Sequence, residues 1–439
     1  MKSSEGRQWL WVTMLSFSMV ALGYWVDRSQ TFSLFLFFGL SAFSFLRLIN
    51  IKVEVNWFWL GMIPRMLLFF SLPALSEDYF RFLWDGMVSL EGLSPFGLTP
   101  SELVASGKFT LSTYGQTLYD GMNSNVYHAI YPPVVQWLFI VAASVKNLFG
   151  GVLILRTFIL LAEIGVYYML RKLLLRYRLS TNKIAWYWLN PLILIEGVGN
   201  LHFEPIMVFF LLLALYHFSR LKEVDGSFAF TFSLLTKWFT LIFLPLILLK
   251  VSTKRAVKIL LVILAVAVCF YLPYASIDEG RNQLTSMFLF VRRFEFNASL
   301  YYLINNIGER MVGYNLNRVV GPLLVAVAFV LIGVITWVYR FRNRLKLFEG
   351  LLLIISCYLF LAPVVHPWYL FIPVALSVYS SFTFPLWWSM MVFLSYHAYA
   401  GQVVEENAWV IGLQYGVVFT ILLAELKKRK VWLKLKAAF

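Results

Sequence analysis

The sequence predicts an all-α polytopic membrane protein, and three observations carry that prediction. The 439-residue chain is 60% hydrophobic and only 13% charged, against about 25% charged in soluble domains. Its mean hydropathy is +0.75. Apolar runs of about 18–20 residues recur from end to end, the length a helix needs to cross about 30 Å of hydrocarbon. The runs do not alternate apolar and polar residues. That removes the closed barrel, the other structure that satisfies its backbone in lipid. The net charge of +15 fits cations gathered in cytoplasmic loops, so no nucleic-acid partner is expected. Cys269 and Cys357 lie inside apolar runs and are expected to pack there, with no zinc or disulfide spacing.

Taken in order, Lys2 and Arg7 put the N-terminus inside. The run at about 9–27 has no small-residue cleavage site behind it and is read as a retained first span. Spans at about 31–49 and 57–75 follow. The stretch SEDYFRFLWDG (76–86) is then outside and opens a first outer loop over 76–130. Counting from the other end, KKRK (427–430), RFRNRLK (340–346) and the cations from Lys250 to Lys258 are inside. This makes 276–316 a second outer loop and puts His366 and QVVEEN (402–407) outside. Residues 380–439 form C-terminal spans, and residues 1–439 are read as a single integral domain with both termini cytoplasmic.

Two places resist the count. RKLLLRYRLSTNK (171–183) is basic and should be inside, yet two apolar runs separate it from an outer segment. YPPVVQWLF (131–139) starts with a double proline, suited to a helix's first turn. It is expected to be a re-entrant or interfacial helix. FAFTFSLLTKWFTLIFLPLILLK (228–250) has basic flanks on both sides. Two short helices meeting at Thr236–Lys237–Trp238 would put Lys237 at the tip of a hairpin, where an intramembrane cation marks function. The alternative is one long span with a snorkelling lysine.

The polar residues converge on the outer side. Asp78, Arg81 and Asp85 share one helical face, while Phe80, Leu83, Trp84 and Met87 suit the lipid interface. The stretch therefore reads as an interfacial helix, with a solvated helix held by an Asp–Arg pair as the bland alternative. Outer loops should be poor in cations, so Arg81, Lys237, Arg292 and Arg293 call for an anionic group, such as a phosphate, held there. GNLHFEP (199–205), with His202 and Glu204, and HPWY (366–369), with His366, Trp368 and Tyr369, point the same way. So does VRRFEFN (291–297), ending in Asn297. His202, Glu204 and His366 also have bland readings beside prolines. Glu196 is placed near His202, His217 and His397 are read as structural, and Arg65, Arg156 and Glu163 are left unplaced. Carboxylate, cations and histidine beside lipid suit transfer of a group from a lipid-linked phosphate to a hydroxyl. A carboxylate would act as base and the cations would hold the phosphate. No nucleotide fingerprint is present.

The order of these motifs resembles the GT-C glycosyltransferases, in particular the bacterial polyprenyl-phosphate-mannose-dependent mannosyltransferases. The matching pieces are S-x-D-x-x-R-x-x-W-D-G at 76–86, G-L-S-P-F at 92–96, Y-P-P-V-V-Q at 131–136 and N-P-L-I-L-I-E-G with G-N-L-H-F-E-P at 190–205. T-K-W-F-T-L-I-F-L-P at 236–245, F-N-A-S-L-Y-Y-L at 296–303 and H-P-W-Y-L at 366–370 complete the set. The resemblance implies a GT-C-like fold of about 12–14 transmembrane helices with outer-face interfacial helices. It implies an inverting hexosyltransferase in the cytoplasmic membrane, with a polyprenyl monophosphate sugar donor, a lipid or glycan acceptor, surrounding membrane lipids and no cofactor. The base maps to Asp78, with Asp85 second and His366 assisting. Arg81, Lys237, Arg292 and Arg293 would bind donor phosphate. Glu77, His202, Glu204, Asn297, Trp368 and Tyr369 would meet sugar or acceptor. His-Phe-Glu stands where oligosaccharyltransferase relatives hold a metal with aspartate pairs, so no metal is expected. The rival classes are a lipid-linked sugar flippase and a surface-glycan polymerase or ligase.

Overall fold

The computed structural model describes residues 2–51, 56–107, 110–292, 294–342, 344–401 and 403–428. Asn343 of the RFRNRLK stretch, Gln402 of QVVEEN, and Arg429 and Lys430 of KKRK lie outside them. The described chain is helical, and its one extended pairing is an isolated parallel bridge between Phe296 and Val364.

The architecture is that of a GT-C-like polytopic membrane protein. Among the described residues five helices are long and apolar enough to cross a bilayer: Thr31–Ile49, Leu148–Arg176, Thr253–Tyr274, Asn317–Tyr339 and Ala408–Lys428. A sixth candidate is the pair Pro191–Gly199 and Glu204–Ser219, bent by 112°. The expected 12–14 spans are not met by uninterrupted helices, because several apolar runs are broken. The run expected at 57–75 stops as a helix at Leu68. The run at 131–149 yields only Pro133–Ala143, with Pro133 in its first turn. At about 1.5 Å per residue such a helix reaches only part way across a bilayer, as expected for a re-entrant piece. The 228–250 run breaks where expected. Glu223–Thr236 ends, Lys237 is extended, and Trp238–Phe243 and Leu244–Leu249 continue.

Broken helices expose carbonyls that have no partner in their own helix, and a buried arginine collects them. Arg156 donates to Val198 O at 2.7 Å, Gly199 O at 3.0 Å and Phe69 O at 2.7 Å, and also to Ser71 O. It thereby ties the end of the third helix to the kinked Leu194–Gly199 turn. Arg65 pairs with Glu163, donates to Gly61 O and Trp188 O at 2.8 Å, and lies 3.6 Å over the Trp188 ring. These unplaced charges are therefore scaffold. The cysteines are free; Cys269 is exposed rather than packed, on a helix whose outward face is apolar, and Cys357 is partly buried.

The motif helix Asp78–Leu90 does not offer most of its apolar side chains to lipid. Leu83, Trp84 and Met87 are buried, because Thr113–Gly121 and Pro133–Ala143 pack over them. Gly86 makes this possible: a Cβ there would sit 2.1 Å from the Phe139 carbonyl oxygen. The glycine of W-D-G is a point of backbone-to-backbone approach.

Candidate active site

A cavity of about 420 Å³ opens at the start of the Asp78–Leu90 helix. Glu77, Asp78, Arg81, Asp85, Lys237, His366, Trp368 and Tyr369 all line it. The expected shared face of Asp78, Arg81 and Asp85 is therefore a cavity wall. Among the described residues three cations reach this region, and each has a carboxylate. Arg81 Nε donates to Asp85 Oδ1 at 2.7 Å, Arg28 Nη2 meets Glu77 Oε1 at 2.6 Å, and Lys237 Nζ pairs with Glu204. Asp78 differs: it is partly exposed to the cavity, and among the described residues its carboxylate has no protein hydrogen-bond partner.

Asp85 is locked. It is 1% exposed and also accepts from Gln136 Nε2 at 3.3 Å, which accounts for the glutamine closing Y-P-P-V-V-Q. Burial raises its carboxyl above the usual range, while Arg81 and Gln136 pull the other way. Arg81 is equally committed. Its Nη1 donates to Ser124 O at 2.9 Å and Tyr127 O at 2.8 Å, shaping the loop that forms the opposite wall. Its Nη2 is buried at the cavity without a protein partner.

Trp368 is stacked against two imidazoles. His202 lies on it at 3.6 Å and His366 at 4.4 Å between ring centroids. Burial pushes the His366 imidazole down to about 3, with the Lys237 charge as a smaller cause, so His366 is a neutral ring at neutral pH. Behind the wall, Glu196 Oε1 accepts from Tyr396 at 2.7 Å. Its Oε2 meets Asn200 Nδ2 at 3.2 Å and His202 Nε2 at 3.3 Å.

Several expected residues stand apart from the cavity surface. His202 and Glu204 are buried one layer behind it. Asn297 is also buried: its N–H donates to Glu406 at 2.6 Å and its amide to Val365 O at 3.1 Å. This fixes the strand pairing that leads into His366. His217 sits 3.5 Å from Asp225, and His397 accepts from Asn407 N at 2.6 Å, both away from the cavity. The side chains of Arg292, which ends the Ile277–Arg292 helix, and of Arg293 lie outside the described residues.

Other lining residues were not anticipated: Arg28, Asn123, Tyr127, His128, Tyr396 and Tyr399. Arg28 had a signal, since it is a cation in the short turn after the first expected span, a turn that the positive-inside count puts outside. Tyr396 and Tyr399 had none, because they sit in an apolar run. A second, apolar groove of about 940 Å³ adjoins the cavity and shares Ile130, Tyr131, Lys237 and Tyr369 with it. Lys237 therefore stands at the junction of a polar chamber and an apolar one. Among the described residues no three His, Cys, Asp or Glu side chains are grouped as a metal would need.

No curated protein matches the chain. More than half of it, residues 8–253, matches the model of the MptA_B family, alpha-(1->6)-mannopyranosyltransferase N-terminal domain, and the protein belongs to this GT-C mannosyltransferase family.

Proposed function

We propose that the protein transfers one mannosyl residue from a polyprenyl monophosphate donor to a hydroxyl of a lipid or glycan acceptor. The reaction occurs on the outer face of the cytoplasmic membrane, with inversion. The observation that carries this reading is the meeting of two chambers at Lys237: a polar cavity holding an unpaired carboxylate, and an apolar groove. A donor of this class has the same order of parts, with sugar, phosphate and isoprenoid chain in line. The sugar fits the cavity, the phosphate the lysine, and the chain the groove. The outer-face assignment rests on the positive-inside distribution of Lys and Arg.

In the proposed step, Asp78 takes the proton of the acceptor hydroxyl. The acceptor oxygen attacks the anomeric carbon opposite the bond to phosphate. That C–O bond breaks, and its electron pair leaves on the phosphate, which Lys237 neutralises. Asp78 suits the base because its oxygens are uncommitted, whereas Asp85 is held by Arg81 and Gln136. Arg81 offers only Nη2 to a ligand and otherwise holds the wall. The test is transfer of radiolabelled mannose from a mannosyl-phosphoryl polyprenol by purified protein. Asp78→Asn should lower kcat by about a thousandfold with the fold intact. Full activity in that variant would overturn the assignment.

A further inference from the structure

One part of the cavity wall, away from the apolar groove, is partly exposed. Arg28 crosses from the turn between Lys2–Tyr24 and Thr31–Ile49 to Glu77 Oε1 at 2.6 Å. Asn123 Nδ2 reaches the other carboxylate oxygen, Oε2, at 3.2 Å. Three segments distant in sequence thus close over one carboxylate. The Arg28 and Glu77 side chains are 27% and 38% exposed, and Asn123 is exposed, so this is the solvent side of the cavity. All three residues line the cavity and none lines the apolar groove.

We infer that the Arg28–Glu77–Asn123 clasp is the acceptor subsite and that it takes a neutral saccharide through adjacent hydroxyl groups. This rests on the mannosyl transfer proposed above. A guanidinium, a carboxylate and an amide side by side offer alternating donors and acceptors. A vicinal diol matches that pattern, because each hydroxyl donates and accepts at once. The clasp is charge-balanced, which suits a neutral ligand better than an anion. Aromatic rings line the same cavity. Arg28 is held 4.9 Å over the Tyr399 ring, and Tyr127 and Phe294 meet edge to face at 5.6 Å. Glu77 and Asp78 line the same cavity, so a saccharide held by the clasp lies in the chamber that holds the uncommitted carboxylate. With the donor chain in the groove, the two substrates meet different lining residues.

The experiment uses the purified full chain with a mannosyl-phosphoryl polyprenol donor and octyl α-D-mannopyranoside as the neutral acceptor. Arg28→Gln and Asn123→Ala should each raise KM for the octyl mannoside, by about tenfold and a few-fold respectively, with kcat within about twofold and donor KM unchanged. Arg28→Lys should recover part of the loss. Asn123→Ala removes only an exposed amide, so it stays informative if Arg28→Gln fails to fold. Acceptor KM unmoved in a folded variant, or donor KM rising in parallel, would overturn the subsite while leaving the reaction standing. A wild-type protein that transfers no mannose from the donor would overturn the reaction, and the subsite with it.

Discussion

The cavity is built from two halves of the chain with opposite chemistry. Among the described residues, the family-matched part, up to residue 253, contributes every charged lining side chain: Arg28, Glu77, Asp78, Arg81, Asp85 and Lys237. The part after it contributes Phe294, Phe296, His366, Pro367, Trp368, Tyr369, Ser395, Tyr396 and Tyr399, none charged once His366 is held neutral. The first half supplies charge and the second supplies shape. A wall of stacked rings excludes water, and charges facing such a wall interact more strongly than they would in bulk water.

The sharpest way to break this division is inside the charged half. Asp78→Asn and Asp85→Asn are chemically the same change, seven residues apart. The first should cost about a thousandfold in kcat with little change in thermal unfolding. The second leaves Arg81 buried and unpaired and should cost about 3–5 kcal/mol of stability. Thermal unfolding in detergent, run beside activity, separates them. Equal stability losses would make Asp78 another structural carboxylate.

Next in size is Lys237→Gln. It removes the cation at the chamber junction and should raise donor KM about tenfold or more, with acceptor KM unchanged; because it also leaves Glu204 buried and unpaired, it should lower the unfolding temperature as well. Single-substrate titrations at saturating partner concentration test this. A change in acceptor KM alone would move the phosphate elsewhere in the cavity.

The smallest effect falls in the ring wall. In the fold the His366 imidazole is pushed down to about 3 from an ordinary 6.5. Between those values the unfolded chain binds a proton that the folded chain refuses. Stability from this group is therefore complete above about pH 6.5 and is lost as pH falls toward 3. His366→Gln should flatten that part of a stability-against-pH curve. It should lower kcat only a few-fold and leave the rate profile between pH 6.5 and 8 unchanged in shape. A limb of the rate profile that disappears with His366 would make the ring a titrating participant and not a wall.

Much of the charged half was legible in the sequence because its cues are local. Helical spacing puts Asp78, Arg81 and Asp85 on one face, and basic flanks around 228–250 require a break near Lys237. The ring wall was less legible. HPWY is visible as a motif, but Tyr396 and Tyr399 sit in an apolar run where nothing separates a cavity tyrosine from a packed one. The expectation that Leu83, Trp84 and Met87 face lipid missed the helices that cover them, for a related reason. An amphipathic pattern says that a face is apolar, but not whether lipid or the Pro133–Ala143 helix covers it.

By itself the sequence determined the membrane class, the helical nature of the spans, the order of the motifs and the family to which the chain belongs. These follow from hydropathy, run length and short-range spacing. Only the tertiary structure decided which charges are spent. The partners of Arg28, Asp85 and Lys237 lie 49, 51 and 33 residues away, counting Gln136 for Asp85. Pairing at such separations depends on how broken helices pack. That packing leaves Asp78 uncommitted at the cavity while its neighbour on the same helical face is locked.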